Sequence, residues 1–209
     1  MNNTILIVDD SPYIVDGLLA LLKRKGYNPI AANGGDEAVT LLTKTKPDLI
    51  LLDIMMEPVD GWETLERIKA NPETREIPVL MFSAKKITAD EAHDHKMNIE
   101  DFVSKPVNPA LLLESIQHIF ERRADVKKDA IDAKGAGIDQ NTIDEYSSLR
   151  KGIEVDKNLL AVLKNSCGMN TPGREVSPEN IEAIKILEDK IRQEEERLAQ
   201  IAGKFAQVI

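Results

Sequence analysis

Ile5-Leu6-Ile7-Val8-Asp9-Asp10-Ser11-Pro12 opens the chain with four aliphatic residues that stop on two carboxylates and then a helix start. A short apolar run bounded by turn residues reads as a buried strand. Ser11-Pro12 supplies an N-cap followed by a proline at the first helical position. Ile14, Leu18, Leu21 and Leu22 keep helical spacing up to Gly26, the expected C′ residue. The same strand-then-helix alternation recurs up to about residue 120. Strands are expected at 4–8, 27–32, 48–52, 77–82 and 101–104. Helices are expected through Ala38, Leu41 and Leu42, then through Trp62, Leu65 and Ile68 after Asp60-Gly61. A fourth starts at a Thr88–Glu91 capping box, and a fifth runs from Pro109 through Leu112, Ile116 and Ile119. Alternation of this kind predicts an α/β fold with a doubly wound parallel sheet of five strands.

Ligands of open α/β sheets bind at the carboxyl ends of the strands, so the residues that end each run matter most. They are Asp9 and Asp10, Asp53 after Leu49-Ile50-Leu51-Leu52, Ser83 after Val79-Leu80-Met81-Phe82, and Lys105 after Phe102-Val103. Magnesium takes octahedral oxygen ligands, commonly one or two carboxylates with phosphate oxygens and water. Asp10 and Asp53 suit direct ligation, Asp9 suits a metal-bound water, and the backbone carbonyl of Met55 offers a further oxygen. Like charges gathered this closely are costly without a cation. A carboxylate can form an aspartyl phosphate, and phosphoryl transfer asks mainly for positioning and neutralisation, which Mg2+ and the Lys105 ammonium would supply. Ser83 suits donation to a phosphoryl oxygen, and Lys105-Pro106 suggests a cis peptide. Taken singly, each residue has a plainer reading: Asp as a capping residue, Ser and Lys as solvated side chains. Their order along the chain, each at a strand end, favours the phosphoryl site.

Beyond residue 120 the strand signal disappears. Leu112, Ile116, Ile119, Val126, Ala130 and Ala133 share one seam, so the fifth helix is expected to continue to about 133, before a break at Lys134-Gly135-Ala136-Gly137. Thr142 and Glu145 predict a second capping box for a helix with Ile143, Tyr146, Leu149 and Ile153, and a further short helix is expected around Leu159, Leu160 and Leu163. Cys167–Val176 reads as a loop. Ser177-Pro178-Glu179 then caps a last helix whose heptad positions hold Ile184, Ile191, Leu198 and Phe205, with Leu187, Glu194, Ile201 and Val208. That seam fits packing on the preceding helices, or a coiled-coil dimer that Glu194 would weaken. The expected domains are therefore 1–122, a linker or helix extension at 123–140, and a helical region at 141–209, as a hairpin or coiled coil.

Residues 3 to 122 resemble the response-regulator receiver domain of two-component signalling. The resemblance rests on Ile5–Asp10, on Leu51-Leu52-Asp53-Ile54-Met55-Met56 with Asp60-Gly61, on Phe82-Ser83-Ala84, and on Asp101-Phe102-Val103-Ser104-Lys105-Pro106. It implies a flavodoxin-like strand order of 2-1-3-4-5. It also implies Asp53 as phosphoacceptor from a histidine kinase or phosphotransfer protein, bound Mg2+, Asp9 and Asp10 as metal acids, Ser83 with Ala84 and Phe102 as switch positions, and Lys105-Pro106 at the phosphate. The proline common at the fourth place after the acceptor is here Glu57, with Pro58 following. Asn98 stands where a glycine is usual, a residue that tolerates the left-handed conformation. Phe102 replaces the commoner tyrosine, so a switch through it relies on packing.

Composition limits the alternatives. Net charge is −9, about −7 of it within the first 120 residues, which opposes general nucleic-acid binding. One cysteine excludes an internal disulfide. The start has no basic region followed by a long apolar run, and no apolar stretch approaches the roughly 18 residues of a membrane span, so a cytoplasmic protein is the expectation. A transcription regulator with an atypical helical output is the alternative function, although no helix carries a basic recognition face. A haloacid-dehalogenase-like phosphatase would need an Asp two residues after Asp53, where Met55 stands. The reading is a switch that acts through its helical tail, by protein contacts or by homodimerisation through the heptad helix or the face between the fourth and fifth helices.

Overall fold

The computed structural model describes residues 3–83, 98–166 and 178–206, which fall in two compact units divided between Glu114 and Ser115. The first unit is built on a sheet of β1 (Thr4–Val8), β2 (Asn28–Ala32), β3 (Leu49–Asp53), β4 (Val79–Ser83) and β5 (Asp101–Ser104). All pairings are parallel and the order is β2-β1-β3-β4-β5. β1, β3 and β4 lie inside the sheet and are almost wholly buried, which explains why they read as continuous aliphatic runs rather than alternating ones. β2 is an edge, and its Pro29 is tolerated there because an edge strand can spare a donor. β3 and β4 end on Asp53 and Ser83 themselves, one residue later than expected. Asp53 pairs with Phe82, and Ser83 with Ser104, so both site residues are fixed by the ladder rather than by a loop.

Three helices accompany these strands: α1 (Pro12–Arg24), α2 (Gly35–Leu42) and α3 (Gly61–Ala70). Ser11 is the N-cap of α1, yet its side chain makes no capping bond. The cap expected of Ser11 fails because Asp9 Oδ1 already accepts from the Ser11 amide at 2.8 Å and fixes the turn. At the other end the amide of Gly26 donates to the Lys23 carbonyl and that of Tyr27 to the Leu22 carbonyl, with Gly26 at φ 86. That is a Schellman closure, which needs the left-handed C′ residue foreseen at Gly26. Asp60 caps α3 by accepting from the Glu63 amide at 2.8 Å. Asn98, which stands where a glycine is usual, is not left-handed: among the described residues no non-glycine residue has a positive φ. The helix expected from Thr88 lies outside the described residues, as do Ala84 and the Cys167–Val176 loop.

α4 (Pro109–Gly135) is one helix of 27 residues that begins in the first unit and continues into the second. Asn108 Oδ1 caps it through the Ala110 amide at 2.9 Å. Gly137, at φ 84, follows its end. α5 (Gln140–Ser166) and α6 (Pro178–Ala206) complete the second unit. Two expectations are corrected here. The capping residue of α5 is Asp139, whose carboxylate accepts from the Thr142 amide at 3.0 Å and its hydroxyl at 2.7 Å, so Thr142 lies inside the helix. The short helix expected around Leu159 is part of α5. Gly152 costs about 1 kcal/mol relative to alanine, too little to break a helix held by the buried Ile153, Val155 and Leu159.

α5 and α6 run antiparallel: Lys157 pairs with Glu195 at 2.8 Å and Lys164 with Glu188 at 2.6 Å, so one number rises as the other falls. The heptad seam of α6 is used within the chain. Ile184, Leu187, Ile191, Ile201 and Phe205 are buried, and Phe205 meets Tyr146 with ring centroids 4.7 Å apart. Ala133, Ile143, Tyr146, Ile201 and Phe205 form one core cluster. Burial of each large aliphatic residue there contributes about 1.5–3 kcal/mol. The ion pairs flanking the seam are half-exposed and set register more than stability.

The Asp139 cap carries a pH signature. Its hydrogen bonds from Thr142, with the side-chain bond the larger influence, hold its carboxyl below the usual carboxylate range. The folded state therefore binds this proton more weakly than the unfolded chain. The contribution is present above the unfolded value near 4 and is lost as pH falls through the folded value. Asp139→Ala is expected to lower the melting temperature at pH 7 by about a few degrees. Thermal melts should show the gap to wild type closing below about pH 4, and a gap that stays constant down to pH 2 would contradict the cap.

Candidate functional site

The strand order reverses direction at β1, whose neighbours are β2 on one side and β3 on the other. A crevice forms above the carboxyl ends at such a point, and there Asp9 and Asp10 follow β1 while Asp53 ends β3. One carboxylate oxygen from each of the three lies within 4.8 Å of the other two. Asp9 and Asp53 are buried and Asp10 is exposed. Lys105 brings the balancing charge, with Nζ at 2.8 Å from Asp9 Oδ2 and 2.7 Å from Asp53 Oδ2. Its ammonium also stands 4.7 Å from the centroid of the Phe82 ring, a cation–π contact that supports it from the strand next to β3.

Each acid also accepts from one backbone amide: Asp9 from Ser11 at 2.8 Å, Asp53 from Met55 at 3.2 Å, and Asp10 from Glu57 at 3.2 Å. Burial pushes the Asp53 carboxyl above its usual range, chiefly by desolvation and slightly by the Asp9 charge, while Lys105 and the Met55 amide act in the opposite direction. One ammonium thus serves two buried carboxylates, with a third acid alongside. A divalent cation fits this donor set, because oxygen ligands and uncompensated negative charge are what a hard cation requires. Asp9 and Asp53 share Lys105, whereas Asp10 is held by the Glu57 amide.

The remaining predicted residues arrive by separate routes. Ser83, buried at the end of β4, accepts from the Lys105 amide through its carbonyl at 2.7 Å. That bond ties Lys105 to the strand that carries the hydroxyl. The Lys105-Pro106 peptide is cis, as expected, and so is Glu57-Pro58, which was not foreseen. Met55 is half-exposed, and its amide donates to the Asp53 carboxylate at 3.2 Å. Phe102 is buried on β5 and meets Trp62 of α3 edge-on, with centroids 6.2 Å apart and planes at 70°.

Gly61, expected at the opening of a helix, has a larger part in the site. Its amide donates to the Ile54 carbonyl at 2.9 Å. A Cβ on Gly61 would lie 2.1 Å from the Asp53 carbonyl oxygen and 2.7 Å from Ile54 Cα. The start of α3 therefore rests directly on the backbone of Asp53. Close backbone approach is a known reason for glycine, and Asp60-Gly61 was its only trace in the sequence.

Two family models divide the chain: one described as the response regulator receiver domain matches residues 5–117, and one described as Metanogen output domain 2 matches residues 122–208. The chain is similar to the protein PilH of Pseudomonas aeruginosa, 33% identical over 116 residues that cover 56% of this chain and 96% of PilH. It is 34% identical over 165 residues to a probable cyclic di-GMP phosphodiesterase of Vibrio cholerae, covering 77% of this chain and 34% of that protein. A solved structure of the Vibrio cholerae chemotaxis protein CheY4 shares 26% identity at a TM-score of 0.54, covering 57% of this chain and 99% of CheY4. Several other curated relatives are spanned over only about half to three fifths of their length. Among the described residues, no helix is long and apolar enough to cross a membrane.

Proposed function

The chain belongs to the response-regulator receiver family, and from that premise we propose that Asp53 is its phosphoacceptor and that the helical region carries the output. The observation that carries the reading is the double ion pair of Lys105 with Asp9 and Asp53 beside Asp10. A carboxylate oxygen of Asp53 attacks the phosphorus of a phosphohistidine on a histidine kinase or phosphotransfer protein. The new P–O bond forms as the P–N bond breaks, and the imidazole leaves with the bonding pair and gains a proton. Bound Mg2+ would neutralise phosphoryl charge, held by Asp10, Asp53 and the Met55 carbonyl, with Asp9 on a coordinated water. Lys105 then exchanges a carboxylate partner for a phosphoryl oxygen, and Ser83 donates its hydroxyl to another. Phe102 and residue 84 follow the hydroxyl as switch positions.

The acyl phosphate persists because the residue two places after Asp53 is Met55, which has no proton to move, so no side chain there activates water. The protein is on this reading a cytoplasmic regulator and not a catalyst of turnover. Receiver domain 1–122, the α4 extension through 123–140 and helical region 141–209 are its proposed parts. The α6 seam is filled within the chain, so the proposed phosphorylation-dependent homodimer forms through the face that carries β5 and the start of α4. Incubation with acetyl phosphate and Mg2+ should add one phosphoryl group per chain by intact mass, and a chain that stays unmodified would end the proposal. Light scattering with and without beryllofluoride tests the output, and unchanged mass together with unchanged hydrogen exchange of residues 141–206 would remove the helical region from it. Tight duplex-DNA binding at low salt would instead favour the transcription-regulator alternative.

A further inference from the structure

Asp10 differs from the other two acids of the cluster in what holds it. Lys105 reaches Asp9 and Asp53, whereas among the described residues Asp10 accepts its one recorded hydrogen bond from the backbone amide of Glu57, at 3.2 Å across 47 positions of sequence. Asp10 is exposed, and so is the Glu57 side chain, and among the described residues no ion pair holds the Asp10 carboxylate. The bond also reaches between two turns, the one after β1 and the one between β3 and α3.

We infer that Glu57 is a positioning residue for the divalent-cation site, acting through its main-chain N–H rather than through its carboxylate. The inference rests on the proposed role of Asp10 as a metal acid. A ligating carboxylate left free to rotate must lose that freedom when the ion binds, and a donor that holds it beforehand removes part of the cost. The next residue, Pro58, has no amide hydrogen, and a proline at position 57 would have none either. Any other side chain at 57 preserves the donor. The Glu57 carboxylate contributes only a screened surface charge.

Magnesium chloride titrated calorimetrically into the full chain separates these contributions. Glu57→Pro is expected to raise the Mg2+ dissociation constant about tenfold, the lower end for outer partners of metal ligands because the bond is exposed. Glu57→Ala keeps the N–H and should stay within about twofold of wild type. Melting curves in EDTA report whether each variant folds. Should Glu57→Pro not fold, a backbone ester that replaces the residue-57 N–H by oxygen removes the donor while keeping the side chain, with the same tenfold expectation. Equal affinities for wild type and the proline or ester chain would overturn the inference, as would a loss in Glu57→Ala matching that in Glu57→Pro. A wild-type chain that binds no Mg2+ overturns the metal reading of the acids and this inference with it. Wild-type binding with an unaltered proline or ester variant overturns the role of Glu57 alone.

Discussion

Asp53→Asn is expected to reduce phosphoryl uptake from acetyl phosphate to nothing detectable while the fold survives. The amide matches the carboxylate in shape, but the Met55 amide and Lys105 bond separate oxygens of Asp53, so the single amide oxygen keeps one of these two bonds, and it is no nucleophile at neutral pH. Stability in metal-free buffer should change by only about 1 kcal/mol. A buried charge is removed at a position where desolvation already opposes it, and Lys105 retains Asp9 as partner. Intact mass after incubation with donor and Mg2+ measures the first effect. Thermal melts with and without Mg2+ measure a second, because a ligand stabilises in proportion to its affinity for the folded state. Wild type should gain more from Mg2+ than Asp53→Asn, which offers one carboxylate fewer. Phosphoryl uptake persisting in the variant would move the acceptor elsewhere in the chain.

Gly61→Ala should be the most damaging small substitution in the first unit, at a cost of about 3 kcal/mol or more. The added methyl would meet the Asp53 carbonyl oxygen at 2.1 Å and the Asp53 carbonyl carbon at 2.9 Å. Both are backbone atoms, so no rotamer change relieves the overlap, and α3 and the end of β3 must separate. Gly35→Ala is the informative contrast. Its methyl would meet Thr64 Oγ1 at the same 2.1 Å, but that hydroxyl can turn away at the loss of its bond to the Asp60 carbonyl. A cost nearer 1–2 kcal/mol follows. Denaturant unfolding gives both values, and phosphoryl uptake should fail in Gly61→Ala while persisting in Gly35→Ala. A Gly61→Ala chain as stable and as readily phosphorylated as wild type would contradict the contact of α3 with Asp53.

The parallel sheet and its order were legible because β1, β3 and β4 are buried on both faces and therefore spell uninterrupted aliphatic runs. The acids, Ser83 and Lys105 were legible because each ends such a run, and parallel strands bring those ends together. Glu57 was not, since a backbone donor leaves no mark in residue type. The Trp62–Phe102 contact joins α3 to β5, and nothing local in either segment announces the other. At the start of α5 the expected cap pattern was Thr142 with Glu145. Asp139 caps the helix instead, two residues after the Gly137 turn. Glu145 is occupied instead by a bidentate bond from Arg197, a long-range partner that no capping rule contains. The α6 heptads signalled an apolar seam without naming its partner, and Tyr146 with Ile143 fill it from within the chain.

The two family models stop and start at residues 117 and 122, and both positions lie in the interior of α4, where there is no turn to absorb a change of length. A change of length at this point therefore changes angular phase along the helix. One residue gained or lost turns the part of the helix after the junction by about 100° around the axis relative to the part before it. A change of seven residues returns it to within about 20°. Junctions of this kind should accordingly differ in length by whole helical turns, whereas loop junctions drift freely.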